Sequence, residues 1–520
     1  MAEPDEPIPD NRIVFKQFVK PDMDNLKKHM TRFPLISQAL LFVTIVMGVW
    51  GVYAGALGGG FVLDDWSLIL HNPTLRIQDL SWSEIQRIVV GLRPVSTLTF
   101  ALNHLFFPES LAAYHAVNIV IHIAAGIFLF FFVQITLGLS SAKAPSGINA
   151  RFSAYAVSIL WLFHPVNTQS VSYIVQRQNA MAGMFFIASM LFYAKARLAP
   201  KPPNARLWAA GCALAGVLAV GSKENAAALP VFIFLYEWFF FQDLNAKWAA
   251  IRGLSILGAL AVALASVWIF FPQILPMGIL SRGYDIYAFT MEQRLLTELR
   301  VLVYYITLIF FPHPSRLSLD RDFPYSHSML DPPTTLASLL ILLALLGLAA
   351  ARARKEPLFS FCVIWFFGNL VMESSFIPLD IIFEHRLYLP SISIIGMAAW
   401  ALWKYLPSKK AVAALFCLAL SAFSIWTWQR NQVWGKSPMA IYLDSAAKSP
   451  EKARPFYNVA CEYAKRGRAR EAVRWLELAK DKKKELKWSL ERNLSLDPDF
   501  KAIRRSRAFK EFAEKISREK

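Results

Sequence analysis

The sequence predicts an all-α polytopic membrane protein that ends in a helical tail, and three observations support this. Of the 520 residues, 55% are hydrophobic and only 18% are charged, and the mean hydropathy is +0.37, well above that of a soluble protein. Apolar stretches of the roughly 20 residues that a helix needs to cross a bilayer recur along the chain. After residue 430 these stretches stop.

The apolar stretches predict about eleven transmembrane helices. They lie near 35–58, 114–138, 151–165, 178–198, 207–222, 227–241, 253–271, 335–352, 358–376, 386–405 and 410–428. Residues 1–34 are charged throughout, unlike a cleaved signal peptide, so we expect a cytoplasmic N-terminal segment. Five short loops with Lys or Arg then fall on the cytoplasmic side, as the positive-inside rule requires. The first loop, 59–113, and the larger region 272–334 are predicted to be extracytoplasmic.

Segment 292–312 does not fit this count as a full crossing. Its Arg294, Glu298 and Arg300 form a polar stripe, so we interpret it as a re-entrant or interface-lying helix. The transmembrane domain would then span residues 35–430.

The tail, 431–520, has the pattern of a helical hairpin. Small and aromatic residues recur in it at helical spacing, namely Phe456, Ala460, Tyr463, Gly467, Ala472, Leu476 and Ala479. Small side chains let two antiparallel helices approach closely, and a glycine suits the turn between them. The pattern resembles a tetratricopeptide repeat, although a generic helical hairpin would give similar spacing. Repeat arrays need about three units for stability, so we expect this tail to dock on the extracytoplasmic face.

Charge and cysteine content exclude several functions. The net charge of +18 is concentrated in the loops that flank the apolar stretches and in the tail, which indicates contact with a lipid bilayer and no nucleic-acid partner. The four cysteines are widely separated, so neither a disulfide framework nor a Cys-x-x-Cys site is predicted.

Ionisable residues near membrane depth are costly and therefore candidates for function. In the predicted topology they collect on the extracytoplasmic side: Asp64, Asp65, Arg93, His164, Arg177, Lys223, Glu224, Glu384, His385 and Arg386. Basic groups together with a carboxylate pair favour a site for an anionic substrate that also has a group to be deprotonated. A transporter would more often show related halves, and a channel would need a continuous polar lining.

Seven motifs in order carry a resemblance to a known family. They are FVLDDWSLILHNPTL, LRPVSTLTFALNH, YHAVNIVIHI, FHPVNTQSVSYIVQRQN, GSKENAAALPVFIFLYEW, SLDRDFPYS and EHRLYLPSI. With the helices that follow, this succession resembles the transmembrane and tetratricopeptide-repeat-containing family of GT-C glycosyltransferases. The resemblance covers about residue 35 to the end.

The resemblance implies a GT-C-type bundle and an inverting transfer of a sugar, most often mannose, from a polyprenyl-phosphate carrier to a hydroxyl of a protein or other envelope acceptor. The short tail favours a bacterial inner membrane with a periplasmic site over the endoplasmic reticulum. Two departures stand out: the tail shows one clear repeat, and Gln178 and Asn179 follow Arg177 where the family usually has an acid.

Matching the family's acidic pair assigns Asp64 as the base and Asp65 as its support, although either could instead cap the next helix. Arg386, Arg93, Arg177 and Lys223 would bind the donor phosphate, supported by Glu224, His385, Glu384 and His164. His164 could equally be a loop hydrogen-bonder, and Lys223 and Glu224 an ion pair.

No cofactor is assigned. The acid pair could hold Mg²⁺ or Mn²⁺, with Asp320, Asp322 and Asp331 as further candidate ligands. Two other functions stay open: transfer of a preassembled oligosaccharide from a polyprenyl diphosphate, and a transporter or scaffold without enzymatic activity.

Overall fold

The computed structural model describes residues 35–108, 110–142, 149–255, 283–480 and 490–518, together with Ala144, Gly258 and Lys482. Within these ranges the regular structure is helical and contains no β-strand. The predicted all-α polytopic membrane fold is therefore confirmed. The N-terminal segment 1–34 and most of the predicted span 253–271 lie outside the described residues.

Ten of the eleven predicted spans coincide with a helix. These helices are Leu35–Tyr53, Leu111–Gly138, Ala150–Leu162, Arg177–Leu198, Pro202–Ser222, Leu229–Phe240, Thr334–Arg352, Pro357–Leu370, Pro390–Tyr405 and Lys409–Lys436. Among the described residues, five helical segments are long and apolar enough to cross a membrane, and several others are shorter apolar helices. The total of eleven crossings stays a prediction.

The helices pack around one large apolar core. Helix Arg177–Leu198 lies between Leu111–Gly138 and Pro202–Ser222, and Pro357–Leu370 packs against Pro390–Tyr405. Each of these helices contributes buried apolar side chains to this core, and apolar burial is worth about 25 cal/mol per Å² removed from water. In a membrane the same complementary packing acts between helices through dispersion contacts.

Segment 292–312 forms the 20-residue helix Met291–Phe310. Within its predicted polar stripe, Arg294 and Glu298 face the protein, because both are buried and their charged atoms lie 3.1 Å apart. Arg300 donates to the carbonyl of Pro324 at 2.8 Å. The interpretation of this segment as a re-entrant or interface-lying helix stays a prediction.

The tail forms the predicted helical hairpin. Helices Ala453–Lys465 and Ala469–Lys480 pack against each other, and Gly467 between them has φ of 72°, which favours glycine. Helix Pro438–Lys448 precedes the hairpin, and helices Leu490–Leu496 and Arg507–Arg518 follow it. Ala460, Ala464 and Ala472 are fully buried in the hairpin core.

The tail begins beside the first loop because helix Lys409–Lys436 makes a close backbone approach. A Cβ atom added to Gly435 would lie 1.6 Å from the carbonyl oxygen of Gly55, so only glycine fits there. Two further contacts fix the tail. The amide of Leu63 donates to the Tyr442 hydroxyl at 3.0 Å, and the Lys465 ammonium lies 3.8 Å from the centre of the Trp66 ring.

The remaining short helices shape the loops at this end of the bundle. Trp82–Val89 and Pro94–Phe106 belong to the first loop, and a π-helical turn covers Trp66–Leu70. Single 3₁₀ turns occur at Glu224–Ala228 and Glu384–Leu387. These turns present the polar residues singled out in the sequence.

Candidate functional site

Asp65 ties the first loop to the segment before helix Arg177–Leu198. Its side chain is fully buried, and its two carboxylate oxygens accept from the amides of Val62 at 2.9 Å and Val175 at 2.7 Å. Burial raises the pKa of Asp65 against the effect of these two bonds. Asp65 makes no helix-capping bond, so its geometry is that of a support for its neighbour.

Replacement of Asp65 by asparagine is expected to destabilise the protein by about 1 to 3 kcal/mol, because an amide can accept from only one of the two buried donors and leaves the other unpaired. Thermal unfolding in detergent would measure this as a lower Tm. Asp79→Asn is the matched control, since Asp79 is exposed and accepts from the Ser81 amide in the same loop. An equal Tm for Asp65→Asn and Asp79→Asn would contradict the assignment.

Asp64 is an exposed residue of the first loop. Its own amide donates to the Tyr173 hydroxyl at 2.9 Å, and the preceding Leu63 has φ of 41°, an uncommon conformation for a residue with a branched side chain. Strained backbone of this kind is concentrated at functional sites. Two tyrosines, Tyr173 from the membrane domain and Tyr442 from the tail, therefore fix the backbone that presents Asp64.

The charges around Asp64 come from three parts of the chain. Loss of hydration raises its pKa, Arg454 of the tail opposes this, and Asp380 raises the pKa further. Contacts with Tyr173 and Arg93 act in the same direction as Arg454. The net effect is a carboxylate whose pKa lies above its ordinary value, as suits a group that must capture a proton.

Arg93 and Glu224 form an ion pair. The Nε of Arg93 donates to Glu224 at 2.8 Å, and its other nitrogens donate to Glu224 and to Gln178. Arg93 itself has φ of 56°, so it is a second strained residue at this site. With a side chain that is 30% exposed, it is more accessible than Lys223 or Arg386.

Lys223 is buried. Its ammonium donates to Asn179 at 3.0 Å and to Glu373 at 3.3 Å. Burial lowers the pKa of Lys223, and Glu373 opposes this effect. Gln178 and Asn179 stand where the resembled family usually has an acid. Each accepts a hydrogen bond from a candidate cation: Gln178 accepts from Arg93, and Asn179 accepts from Lys223.

The segment Glu384–Leu387 connects this network to the core. His385 is buried, and its carbonyl accepts from Asn179 at 2.7 Å. Burial, with Lys223 and Arg386 nearby, lowers the pKa of His385 well below its usual value, so the ring is neutral. Its Nδ1 faces the carbonyl oxygen of the Gln169 side chain at 3.2 Å, which requires the proton on Nδ1.

Glu384 and Arg386 flank this histidine and are also buried. Glu384 accepts from the Ser318 amide, and burial, opposed by Arg430, raises its pKa to about 7. Arg386 donates to the carbonyls of Asp380 at 2.6 Å and Ile381 at 2.9 Å. Arg386 therefore shapes the 380–386 segment as well as supplying positive charge.

Two predicted site residues have structural positions instead. The guanidinium of Arg177 is fully buried, donates to Asn118 and Asn103 at 2.7 Å each, and lies 4.3 Å from the centre of the Phe100 ring. It has no face open to a ligand, so its assignment to the donor phosphate is corrected to that of a tie between helices. His164 is likewise buried, with Nε2 2.9 Å from the carbonyl of Ile309, which makes it the loop hydrogen-bonder of the two alternatives.

The sequence reasoning missed a cluster that the tail contributes. Arg454 donates to the buried Asp320 at 2.5 and 2.6 Å and approaches Asp380 at 3.4 Å. Lys452 pairs with Asp320 at 2.6 Å. Arg454 and Lys452 hold the pKa of Asp320 well below its usual range, although burial acts in the opposite direction. The only sequence signal was the acidic motif SLDRDFPYS, whose partners lie more than 130 residues away.

The acids proposed for a divalent cation do not form an open ligand set. Both oxygens of Asp65 accept from backbone amides, and Asp320 is taken up by two cations. Among the described residues, the group with metal-like spacing is Cys461, Asp497 and Asp499 in the tail, where Lys465 lies 3.2 Å from Asp499. The residues around Asp64 therefore do not fit a Mg²⁺ or Mn²⁺ site, and no step of the chemistry is routed through a metal.

Comparison with known proteins gives relatives that include several protein O-mannosyl-transferases. A protein O-mannosyl-transferase of Caenorhabditis elegans is 23% identical over 442 residues, which cover 78% of this chain and 57% of that protein. The protein O-mannosyl-transferase TMTC3 of Homo sapiens is 26% identical over 214 residues, 38% of this chain and 22% of that protein. The protein O-mannosyl-transferase tmtc2 of Xenopus laevis is 31% identical over 157 residues, 28% and 17% of the two chains.

This chain thus spans little more than half of the longest-matched relative and about a fifth of the others. No family model matches the sequence, and no solved structure matches it. The relatives are of the kind that the seven motifs resemble, and the resemblance is confirmed.

Proposed function

We propose that this chain, as a relative of the protein O-mannosyl-transferases, is an inverting glycosyltransferase. It would move a mannose-like hexose from a polyprenyl-phosphate carrier to a hydroxyl of a protein or other envelope acceptor. The observation that carries the proposal is Asp64, whose backbone is fixed beside the strained Leu63 and whose carboxylate feels the charges of Arg454 and Arg93. The names of the relatives support the reaction type.

In the proposed mechanism Asp64 takes the proton of the acceptor hydroxyl while the oxygen attacks the anomeric carbon. The bond between that carbon and the phosphate oxygen breaks as the new bond forms, and the polyprenyl phosphate leaves. A single displacement from the face opposite the phosphate inverts the anomeric configuration. A base within hydrogen-bond reach is needed because a neutral hydroxyl is a poor nucleophile.

The phosphate gains negative charge as it leaves, so fixed cations stabilise the transition state more than the ground state. Arg93 is the outermost cation of the network and would meet the phosphate first. Lys223 and Arg386 lie behind it, each held by several hydrogen bonds. Arg93 is kept in place by Glu224 and Gln178, and Lys223 by Asn179 and Glu373.

The active site would face the extracytoplasmic side, which in a bacterium is the periplasmic side of the inner membrane and in a eukaryote the lumen of the endoplasmic reticulum. Contacts between the tail and the first loop place both at the same end of the bundle, and the positive-inside rule selects that end.

A topology experiment tests this orientation. A cysteine at the exposed position 510, in a variant without the four native cysteines, is expected to react with an impermeant maleimide from the extracytoplasmic side of intact cells or vesicles. A cysteine in the basic loop 351–355 is the matched control and should react only after permeabilisation. The reverse pattern would contradict the proposed orientation.

The activity itself is tested with the full chain in liposomes, supplied with polyprenyl-phosphate mannose and serine- or threonine-containing peptides. Transfer of one hexose mass to the peptide, with inversion and without loss in EDTA, supports the proposal. Transfer only from an oligosaccharide linked to a polyprenyl diphosphate would identify an en bloc transferase. No transfer from any lipid-linked donor would favour a transporter or scaffold.

A further inference from the structure

We propose that Arg454, which the C-terminal tail contributes, is a positioning residue of the transferase site. It joins the tail to Asp320 and Asp380, at the segment that leads to Arg386. This inference rests on the proposed function, because it assigns a role to a residue of that same site.

The guanidinium of Arg454 bridges two acids of different exposure. It donates from Nε and Nη2 to the two oxygens of Asp320, at 2.5 and 2.6 Å, and Nη2 also lies 3.4 Å from Asp380 Oδ1. The Asp320 side chain is 3% exposed, whereas that of Asp380 is 30% exposed. The two-point contact with Asp320 fixes the plane of the guanidinium. The Nη2 edge of the guanidinium therefore also faces Asp380, the more exposed of the two acids.

Neighbouring contacts hold the tail in place independently of Arg454. Ser449 donates through its hydroxyl to the carbonyl of Asp320 at 2.8 Å and accepts from the Asp322 amide at 3.0 Å. Lys448 donates to the carbonyls of Pro314 and Leu317, at 2.8 Å each. The segment before helix Ala453–Lys465 is therefore attached to loop 314–322 by several bonds, so loss of Arg454 alone need not detach the tail.

Asp380 links Arg454 to the predicted phosphate side of the site. Its side chain faces Arg454, while its carbonyl accepts from Arg386 at 2.6 Å and from Arg294 at 3.2 Å. A change at Arg454 thus acts on the same residue whose backbone positions Arg386.

Arg454 also acts on Asp64 through charge. The charged and titratable groups around Asp64 are Arg454, Asp380, Tyr173 and Arg93, together with the adjacent Asp65. Arg454 is the cation with the largest effect, and it opposes the repulsion from Asp380. Without Arg454 this repulsion persists, so the carboxylate of Asp64 would hold its proton to a higher pH and be less available as a base.

The consequence is a chemical role for the tail. Repeat-like helices are usually considered as surfaces for a partner, but here the first turn of the hairpin supplies a charge to the reaction centre. Removal of the tail would therefore impair transfer even to an acceptor that never contacts the helices.

The test is the pH profile of Arg454→Gln in the full-length enzyme. Asp64 must be deprotonated to act, so kcat/KM falls as the pH drops through its pKa, and loss of the nearby cation should move this acid limb to higher pH. Turnover below neutral pH is expected to fall on the order of tenfold, a part of what a general base supplies. Arg454→Lys should restore most of the profile, and Arg507→Gln, a change at an exposed arginine of the last helix, should leave it unchanged.

A second variant, for which the expected shift in the titration of Asp64 has the opposite sign, makes the test independent of the stability of the tail. Asp380→Asn removes the repelling charge, so the titration of Asp64 should move to lower pH. Infrared difference titration of each variant, with Asp64→Asn as the reference that removes the signal, measures this without any substrate. Shifts in opposite directions for Arg454→Gln and Asp380→Asn support the inference.

An unmoved carboxylate titration in both variants would overturn the inference, even if transfer were slower, because Arg454 would then only anchor the tail. Lys452→Gln checks that possibility, since Lys452 pairs with the same carboxylate of Asp320 as Arg454 does; an equal shift in this variant would also overturn it. If the wild type transfers no sugar, the proposed function fails, while the infrared titration still decides whether Arg454 controls Asp64.

Discussion

Asp64→Asn is expected to lower kcat by about 100-fold or more, the usual scale for loss of a general base. Asparagine is nearly isosteric with aspartate but cannot accept the proton of the acceptor hydroxyl. Donor binding should persist, because the candidate donor-binding cations are held by acids other than Asp64: Arg93 is paired with Glu224, and Lys223 with Glu373. Single-turnover transfer and donor affinity, measured separately on the same liposomes, distinguish the two effects.

The pH dependence gives this prediction a second measurement. The pKa of Asp64 is raised by loss of hydration, so wild-type kcat/KM should decline as the pH falls through that value, and the residual activity of Asp64→Asn should lack this decline. Asp79→Asn serves as the control from the same loop. Normal turnover in Asp64→Asn, with loss in Asp65→Asn beyond what its stability explains, would mean that the roles of the two acids are exchanged.

Segment length and composition were sufficient to predict the helical fold. A bilayer admits only chains whose backbone groups bond internally, so apolar stretches of this length have to be helices. The prediction 114–138 corresponds to Leu111–Gly138, and 335–352 corresponds to Thr334–Arg352. The boundary at 386 was less accurate, because Glu384–Leu387 forms a separate turn and Pro390 starts the next helix at a position where proline is favoured.

The site was harder to predict because the cost of a buried charge does not reveal its purpose. Arg177 and His164 met the criterion of ionisable residues in apolar surroundings, yet both satisfy neighbouring helices and loops. The partners of Arg177, Asn103 and Asn118, were visible in the sequence as polar residues in apolar context. Only the tertiary packing brings them within 2.7 Å of its guanidinium.

Arg454 could not be identified as a site residue from the sequence, for a different reason. It lies among many basic residues of the tail, and no motif distinguishes it from Arg468 or Arg507. Its importance comes from the docking of the tail, which depends on contacts such as that between Leu63 and Tyr442, 379 positions apart. The resemblance to a family named the acids of the first loop, but the tail meets that loop through residues that the motifs do not include.

Arg386→Lys is expected to lower kcat/KM by about 10- to 100-fold although the charge is conserved. Arg386 donates from two nitrogens of one plane to the carbonyls of Asp380 and Ile381, a fixed arrangement that a single ammonium on a flexible stem does not reproduce. A hydrogen bond from a charged group contributes about 1.5 to 3 kcal/mol, which corresponds to this range in rate. The loss should appear in donor affinity and turnover together, because the same change displaces the 380–386 segment and moves the positive charge away from the leaving phosphate. Arg87→Lys, at an exposed arginine of the first loop that pairs with Glu84, is the control and should retain wild-type kinetics.

Thermal unfolding of Arg386→Lys separates the two possible origins of the loss. A loss of activity with an unchanged Tm assigns Arg386 to the donor site, whereas a loss that follows a lowered Tm would give Arg386 a purely structural role. Wild-type kinetics in Arg386→Lys would remove Arg386 from the site.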